Sequence, residues 1–278
     1  MQLQMGSIQS IVRSRDFTDK LSDDKVIREH GNSYANEYRS PSQKARVLTE
    51  SWVRAEVYCP ACFHKIDQAP NNQPVLDFFC SSCGEGYELK SKKSALGAKI
   101  VDGAYATMIE RLQSKDQPNF FLLRYSAIEN SVIDFFVIPK HFMAVDIIEK
   151  RKPLPSSARR HGWVGCNILL SRIPQSGRIA YVKDRNILPP SEVRNNWEKT
   201  LFLRDKDCLP QKSWILDTMS CIERLDKRFS LKQMYEFADH LRALHPGNSH
   251  VKEKIRQQLQ VLRDRGYIRF LGDGTYER

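Results

Sequence analysis

Four cysteines constrain the folding of this chain more than any other feature. They fall as two pairs, "CPAC" (Cys59, Cys62) and "CSSC" (Cys80, Cys83), with 17 residues between the pairs. Two Cys-x-x-Cys knuckles at this separation suit one tetrahedral zinc ion. Such an ion ties two distant segments together, so the chain between them must turn back on itself. Four protein ligands leave no open coordination position, so the predicted zinc is structural, not catalytic. A single Cys-x-x-Cys can be a redox motif, but two matched pairs favour metal. The chain has 7 cysteines, an odd number that argues against a disulfide framework. Cys166, Cys208 and Cys221 stand alone and are expected in the core.

The second cysteine pair lies inside "PVLDFFCSSCGEGYELKSKK", between Asp77 and the pair Glu88 and Lys90. Thiolates suit soft zinc, whereas carboxylates suit a hard ion such as magnesium. In a strand, residues two apart share a face, so Glu88 and Lys90 point one way and Tyr87 and Leu89 the other. If the knuckle folds the segment into a hairpin, Asp77 approaches Glu88 and Lys90. The spacing therefore predicts two sites on one hairpin: zinc holding it, and magnesium on the carboxylates. An acid followed by Glu-x-Lys on adjacent strands is the core of the PD-(D/E)xK nucleases. In that chemistry the carboxylates hold one or two magnesium ions, and the lysine orients water and stabilises the negative transition state. By itself the pattern is short, and a solvated charged strand would also carry it. Pro74 is not adjacent to Asp77, a departure from the written motif. A further carboxylate from the first helix, Glu50 or Glu56, can join the site, and the sequence does not choose between them.

Before this stretch, residues 1–40 are polar with little periodicity and read as an arm or irregular cap. From Pro41 the pattern turns helical, with Leu48, Trp52 and Ala55 on one face. "DGAYATMIERLQS" is predicted as a helix, and "NFFLLRY" and "SVIDFFVIP" as buried strands joined by a short turn. "GRIAYVKD" is a further strand and "PPSEVRNNWEKTLFL" a helix. The polar stretch "RDKDCLPQKS" marks a boundary, dividing a domain over 41–205 from another over 206–278.

Beyond the boundary, "SWILDTMSCIERLD" and "SLKQMYEFADHLRALH" read as two helices. A third begins near Ser249, a candidate N-cap. Val251, Ile255, Leu259 and Leu262 form its apolar stripe, while Lys252, Lys254, Arg256 and Gln257 face away. Gly266 ends it, and "YIRF" and "TYER" pair across "LGDG". This is a winged helix-turn-helix whose last helix suits the major groove, where Lys, Arg and Gln match purine edges. His250 at the helix start can touch DNA or serve as a surface or capping residue. A winged helix used for protein contacts is the alternative.

Charge agrees with a polyanionic partner: 44 Lys and Arg against 33 Asp and Glu leave a net charge of +11. The segment from Lys150 to Arg178 concentrates it, with 7 basic residues and no acidic one. Within it Arg159, Arg160 and Trp163 either hold phosphates and wedge a base step, or form a basic loop over a buried indole. No apolar run reaches the length of a membrane span and the start lacks an apolar signal core, so a reduced, intracellular chain is expected.

Longer motifs carry a family resemblance. "SQKARVLTESWV", "LDFFCSSCGEGYELKSKK", "DGAYATM", "ARRHGWVGCNI", "TLFLR" and "KEKIRQQLQVLRDRGYI" make the chain resemble the DpnI-like methyl-directed (Type IIM) restriction endonucleases over about residues 42–278. The resemblance implies an α/β (α+β) PD-(D/E)xK core with a zinc knuckle, followed by a C-terminal winged helix. It implies Asp77 and Glu88 as magnesium ligands, Lys90 as the catalytic lysine, and Cys59, Cys62, Cys80 and Cys83 as zinc ligands. The implied substrate is double-stranded DNA at GATC carrying N6-methyladenine, and the protein is expected to be a monomer in solution in the bacterial cytoplasm, with one chain or two cooperating in the cut. A non-catalytic, zinc-stabilised winged-helix regulator is the rival. A nuclease of repair or RNA processing is a third possibility.

Overall fold

The structure is a computed structural model that describes residues 40–70, 76–114, 117–205 and 211–278. The expected arm before Ser40, Pro74 and Cys208 lie outside the described residues.

Helix α1 (Pro41–Glu56) starts with proline in its first turn, where a missing N–H costs nothing. Its buried face is Thr49, Trp52 and Val53, one residue round from the predicted Leu48, Trp52 and Ala55. It lies on a seven-stranded sheet of order β1-β2-β3-β5-β6-β9-β10. Those strands are β1 (Asp67–Gln68), β2 (Phe78–Phe79), β3 (Gly86–Lys92), β5 (Asn119–Ser126), β6 (Ser131–Ile138), β9 (Ile179–Lys183) and β10 (Asn186–Ile187). Among the described residues only the β3–β5 pair is parallel, with Glu88 opposite Phe120 and Lys90 opposite Leu122.

The apolar run of β5 explains its central place. Phe121 and Leu123 join the core beneath α1, with Trp52, Tyr87, Phe135 and Tyr181. Phe120 and Leu122 face the opposite core. Strand alternation does the same to β3: Tyr87 stacks on Phe121 at 4.4 Å, leaving Glu88 and Lys90 on the other side.

A second, three-stranded sheet of order β4-β8-β7 meets that other side. It contains β4 (Lys99–Ala104), β7 (Ile148–Lys150) and β8 (Gly165–Leu169). The predicted helix over "DGAYATMIERLQS" is thus divided: Asp102 to Ala104 end β4, and only Tyr105–Gln113 form helix α2. Strand pairing with β8 outcompetes helix propensity here, because Ile100 lies opposite Ile168 in a shared core. The basic segment likewise contains β8, whose residues Gly165 to Ile168 are buried. Helix α3 (Pro190–Glu198) then packs through Val193 and Trp197.

The C-terminal unit is a winged helix-turn-helix. Helix α4 spans Lys212–Ile222, and the single helix expected next is two, α5 (Leu231–Glu236) and α6 (Ala238–Leu244). A capping box of Ser230 and Gln233 opens α5. Helix α7 (Val251–Asp264) buries all four predicted stripe residues, together with Gln258. Its cap position is His250, not Ser249, and no side chain caps it. Asn248 Oδ1 accepts from the His250 N–H and holds the entry turn. At the other end Gly266 takes φ +72° and the Tyr267 N–H returns to the Leu262 carbonyl at 2.9 Å. The wing is β12 (Arg269–Gly272) and β13 (Thr275–Glu277), with β11 (Arg228–Ser230) added on the far edge of β13.

This unit docks on the 3-10 turns that follow β8. Arg172 pairs with Asp217 at 2.6 Å and Asp146 at 2.9 Å, and Glu223 accepts from the Ser176 N–H and the Tyr267 hydroxyl. Cys166 and Cys221 are buried in the core as expected. Among the described residues no helix is long and apolar enough to cross a membrane.

Candidate active site and metal centre

The two cysteine pairs come together. The four Sγ atoms lie within 4.8 Å of one another, with Cys59 to Cys83 at 3.5 Å and Cys62 to Cys80 at 3.4 Å. Zinc–sulfur bonds of about 2.3 Å in a tetrahedron give sulfur separations of about 3.8 Å, so the set fits zinc. Both knuckles use one turn. The Phe63 N–H donates to the Cys59 carbonyl and the Gly84 N–H to the Cys80 carbonyl, each at 2.8 Å. The residue four after the first cysteine is left-handed in both: Gly84 at φ +75° and Phe63 at φ +63°. Glycine adopts that conformation freely, whereas Phe63 is held in it by Tyr58 and by the Arg194 guanidinium over its ring. Burial pushes the Cys59 thiol up, while hydrogen bonds from His64 and Cys80 outweigh burial and draw Cys62 down to about 6.

The second knuckle sets the acidic cleft. Asp77 sits at the bend entering β2, where its N–H donates to the Tyr87 carbonyl and its Oδ2 accepts from the Leu89 N–H at 2.8 Å. These bonds aim Asp77 along β3 towards Glu88 and Lys90. The three residues line one cleft of about 540 Å³, with Arg46, Thr49 and Glu50 from α1 and Lys92 and Lys99 around it. Glu50 therefore belongs to the cleft, held by Arg46 at 2.5 Å, while Glu56 is not among its lining residues.

Lys90 Nζ bridges two carboxylates, Glu88 on its own strand and Asp102 on β4. Glu88 and Asp102 are both 9% exposed, and Glu88 Oε2 and Asp102 Oδ2 are buried with no hydrogen-bond partner. Burial raises Glu88 to about 7, with Asp102 and Asp77 adding to the rise and Lys90 opposing it. Burial alone would lower Lys90, but Glu88 and Asp102 overcome it and hold the ammonium above its ordinary value. The unsatisfied Glu88 Oε2, in a residue that lines a solvent-reachable cleft, fits a hard divalent cation. Asp102 was hidden in the sequence because its neighbours suggest a helix. No sequence signal marked it, because the side of β4 that Asp102 faces is set by pairing with β8.

The candidate DNA-contact residues form two groups. Arg159 and Arg160 are exposed in the loop between β7 and β8. Trp163 is half-buried: one side packs on Gly165, where a Cβ would stand 2.8 Å from the ring, and the Arg160 guanidinium stacks at 4.6 Å. The indole is thus neither fully in the core nor free. On α7, His250, Lys252, Arg256 and Gln257 are exposed and Lys254 is half-buried. Lys252 lies 5.4 Å over the Tyr235 ring, and Arg256 bonds the Tyr235 hydroxyl, so α5 organises this basic face. Lys254 donates to Gln257 Oε1 at 2.7 Å.

Two family models match the chain. That of the Dam-replacing family, DpnI, covers residues 28–206, and that of the Dam-replacing HTH domain covers residues 210–278.

Proposed function

The chain belongs to the Dam-replacing family, of the methyl-directed restriction endonucleases, and from that premise we propose that it cuts GATC carrying N6-methyladenine in double-stranded DNA, with magnesium. We assign the nuclease domain to residues 41–205 and the second reader to 206–278. The observation that carries the reading is the cleft itself: Asp77, Glu88 and Lys90 together, with a buried, unpartnered Glu88 oxygen beside the lysine.

A divalent cation bound by Asp77 and Glu88 would neutralise phosphate charge and make water nucleophilic at neutral pH. The rest falls to the chain. The Leu89 N–H holds Asp77 Oδ2, so that carboxylate does not swing as substrate enters. Lys90 keeps a positive charge within the cleft, to stabilise charge developing on the scissile phosphate and to orient the attacking water. Arg46, Lys92 and Lys99 line the same cleft and suit the DNA backbone on either side. Zinc on the four cysteines would fix the β2–β3 hairpin and hence Asp77 against Glu88.

Methyl selectivity needs several small contributions. One buried methyl is worth about 1 kcal/mol. Two methyls in a palindrome, or two domains each sampling the site, multiply that preference. We assign one contact to Trp163, and the second reader to α7 through Lys252, Lys254, Arg256 and Gln257, with His250 at its start.

The test is a digest of GATC plasmid from methylating and non-methylating hosts, with magnesium. Discrete cutting of the methylated DNA alone is the expected result. Tight binding without cutting of either would instead favour the regulator, and cutting of both would refute methyl direction.

A further inference from the structure

Strand β4 carries an acid where its pattern calls for an apolar residue. Ile100 and Asp102 face inward at 7% and 9% exposure, while Val101 between them is 64% exposed. Burying a carboxylate costs several kcal/mol unless a cation and hydrogen bonds compensate. Compensation is visible at one oxygen only. Asp102 Oδ1 accepts from Lys90 Nζ and from the Gly103 N–H at 2.7 Å, and Oδ2 has no partner. The backbone is shaped for this contact too. The β4–β8 register slips between Asp102 and Ala104, a bulge that leaves Gly103 outside the pairing. Bulges beside functional sites commonly re-aim a side chain.

The ion pair also crosses between sheets. Lys90 and Glu88 ride on β3 of the large sheet, and Asp102 on the separate β4-β8-β7 sheet. Glu88 is a ligand in the proposed chemistry, so occupation by a cation would draw it away from Lys90. Asp102 is then the carboxylate left to hold the ammonium.

We propose that Asp102 is the positioning residue for Lys90, anchoring the lysine from the second sheet while Glu88 turns to the divalent ion. The inference rests on reading the cleft as a nuclease site. It assigns Asp102 to the lysine, not to the cation.

Four measurements on the full chain test it. Asp102→Asn should lower the cleavage rate at saturating magnesium at least tenfold, leaving the DNA dissociation constant in calcium within about twofold of the unaltered protein. Calcium affinity of the DNA-free protein, titrated calorimetrically above pH 8, should also change less than about twofold. A tenfold loss of calcium affinity would make Asp102 a metal ligand and overturn the proposal, as would cleavage at the original rate. Asp102→Glu, which keeps the charge one methylene away, should recover part of the rate.

The fourth measurement needs neither the divalent cation nor activity. Lys90→Met leaves Asp102 buried and unpaired, so Asp102→Asn should raise the Tm of that variant while lowering the Tm of the unaltered protein. Additive shifts of one sign would refute the pairing. Absence of cleavage by the unaltered protein would overturn the nuclease reading and Asp102's part in turnover, whereas the Tm reversal decides the Lys90 contact on its own.

Discussion

Proton competition at Glu88 should govern how tightly the cleft takes a divalent cation. Burial holds Glu88 at about 7, well above an ordinary glutamate, with Asp102 and Asp77 reinforcing the shift and Lys90 opposing it. A carboxyl raised to about 7 still carries its proton in about half the molecules at pH 7, and an incoming cation must displace it. Above pH 8 Glu88 is ionised and the cation meets no competitor. At pH 6 roughly nine molecules in ten carry the proton, so the apparent affinity is about tenfold weaker, or about 1.4 kcal/mol. Calorimetric titration of calcium across pH 6 to 8, in buffers of different ionisation enthalpy, measures both affinity and proton release. We expect about one proton released per ion at pH 6 and almost none at pH 8. An affinity independent of pH, with no proton released, would refute the argument. The same shift makes the metal-free protein less stable as pH rises through 7, because the folded state holds the proton more tightly than the unfolded chain does. Calcium should reverse that trend.

Three further outcomes are expected. Zinc removal should unfold the β2–β3 region and abolish cutting: structural zinc contributes about 10–16 kcal/mol in small domains, as much as a whole domain's net stability, so Cys62→Ser or a strong chelator should lower the Tm sharply in a thermal scan. Trp163→Ala should reduce the preference for methylated over unmethylated GATC by about fivefold per methyl lost, with the unmethylated rate little changed in parallel plasmid digests. Lys252→Ala and Arg256→Ala should each weaken DNA binding and reduce the slope of log affinity against log salt by about one, as read by fluorescence anisotropy over a salt series.

Some of this architecture was legible because the chemistry is local. The spacing of the cysteine pairs predicts one shared site, and the four Sγ atoms do converge. Alternation along β3 separates Glu88 and Lys90 from Tyr87 and Leu89 whatever surrounds the strand. The stripe on α7 is likewise a matter of helical period, and Val251, Ile255, Leu259 and Leu262 are all buried. Other expectations failed where a remote partner intervened. "DGA" reads as helix until β8 pairs with it, and Ser249 reads as a cap until Asn248 holds the turn and leaves His250 in the cap position.

The sequence by itself determined the four-cysteine cluster, the apolar faces and the basic balance, since each depends on residue type and on short-range spacing. Tertiary structure alone decided which acids share the cleft. It selected Glu50 over Glu56, because only one face of α1 meets the end of the sheet. It also placed Asp102 on Lys90, a contact between strands of two different sheets. Nothing in the chain near Asp102 encodes that meeting: a buried carboxylate becomes tolerable only when folding delivers the lysine to it.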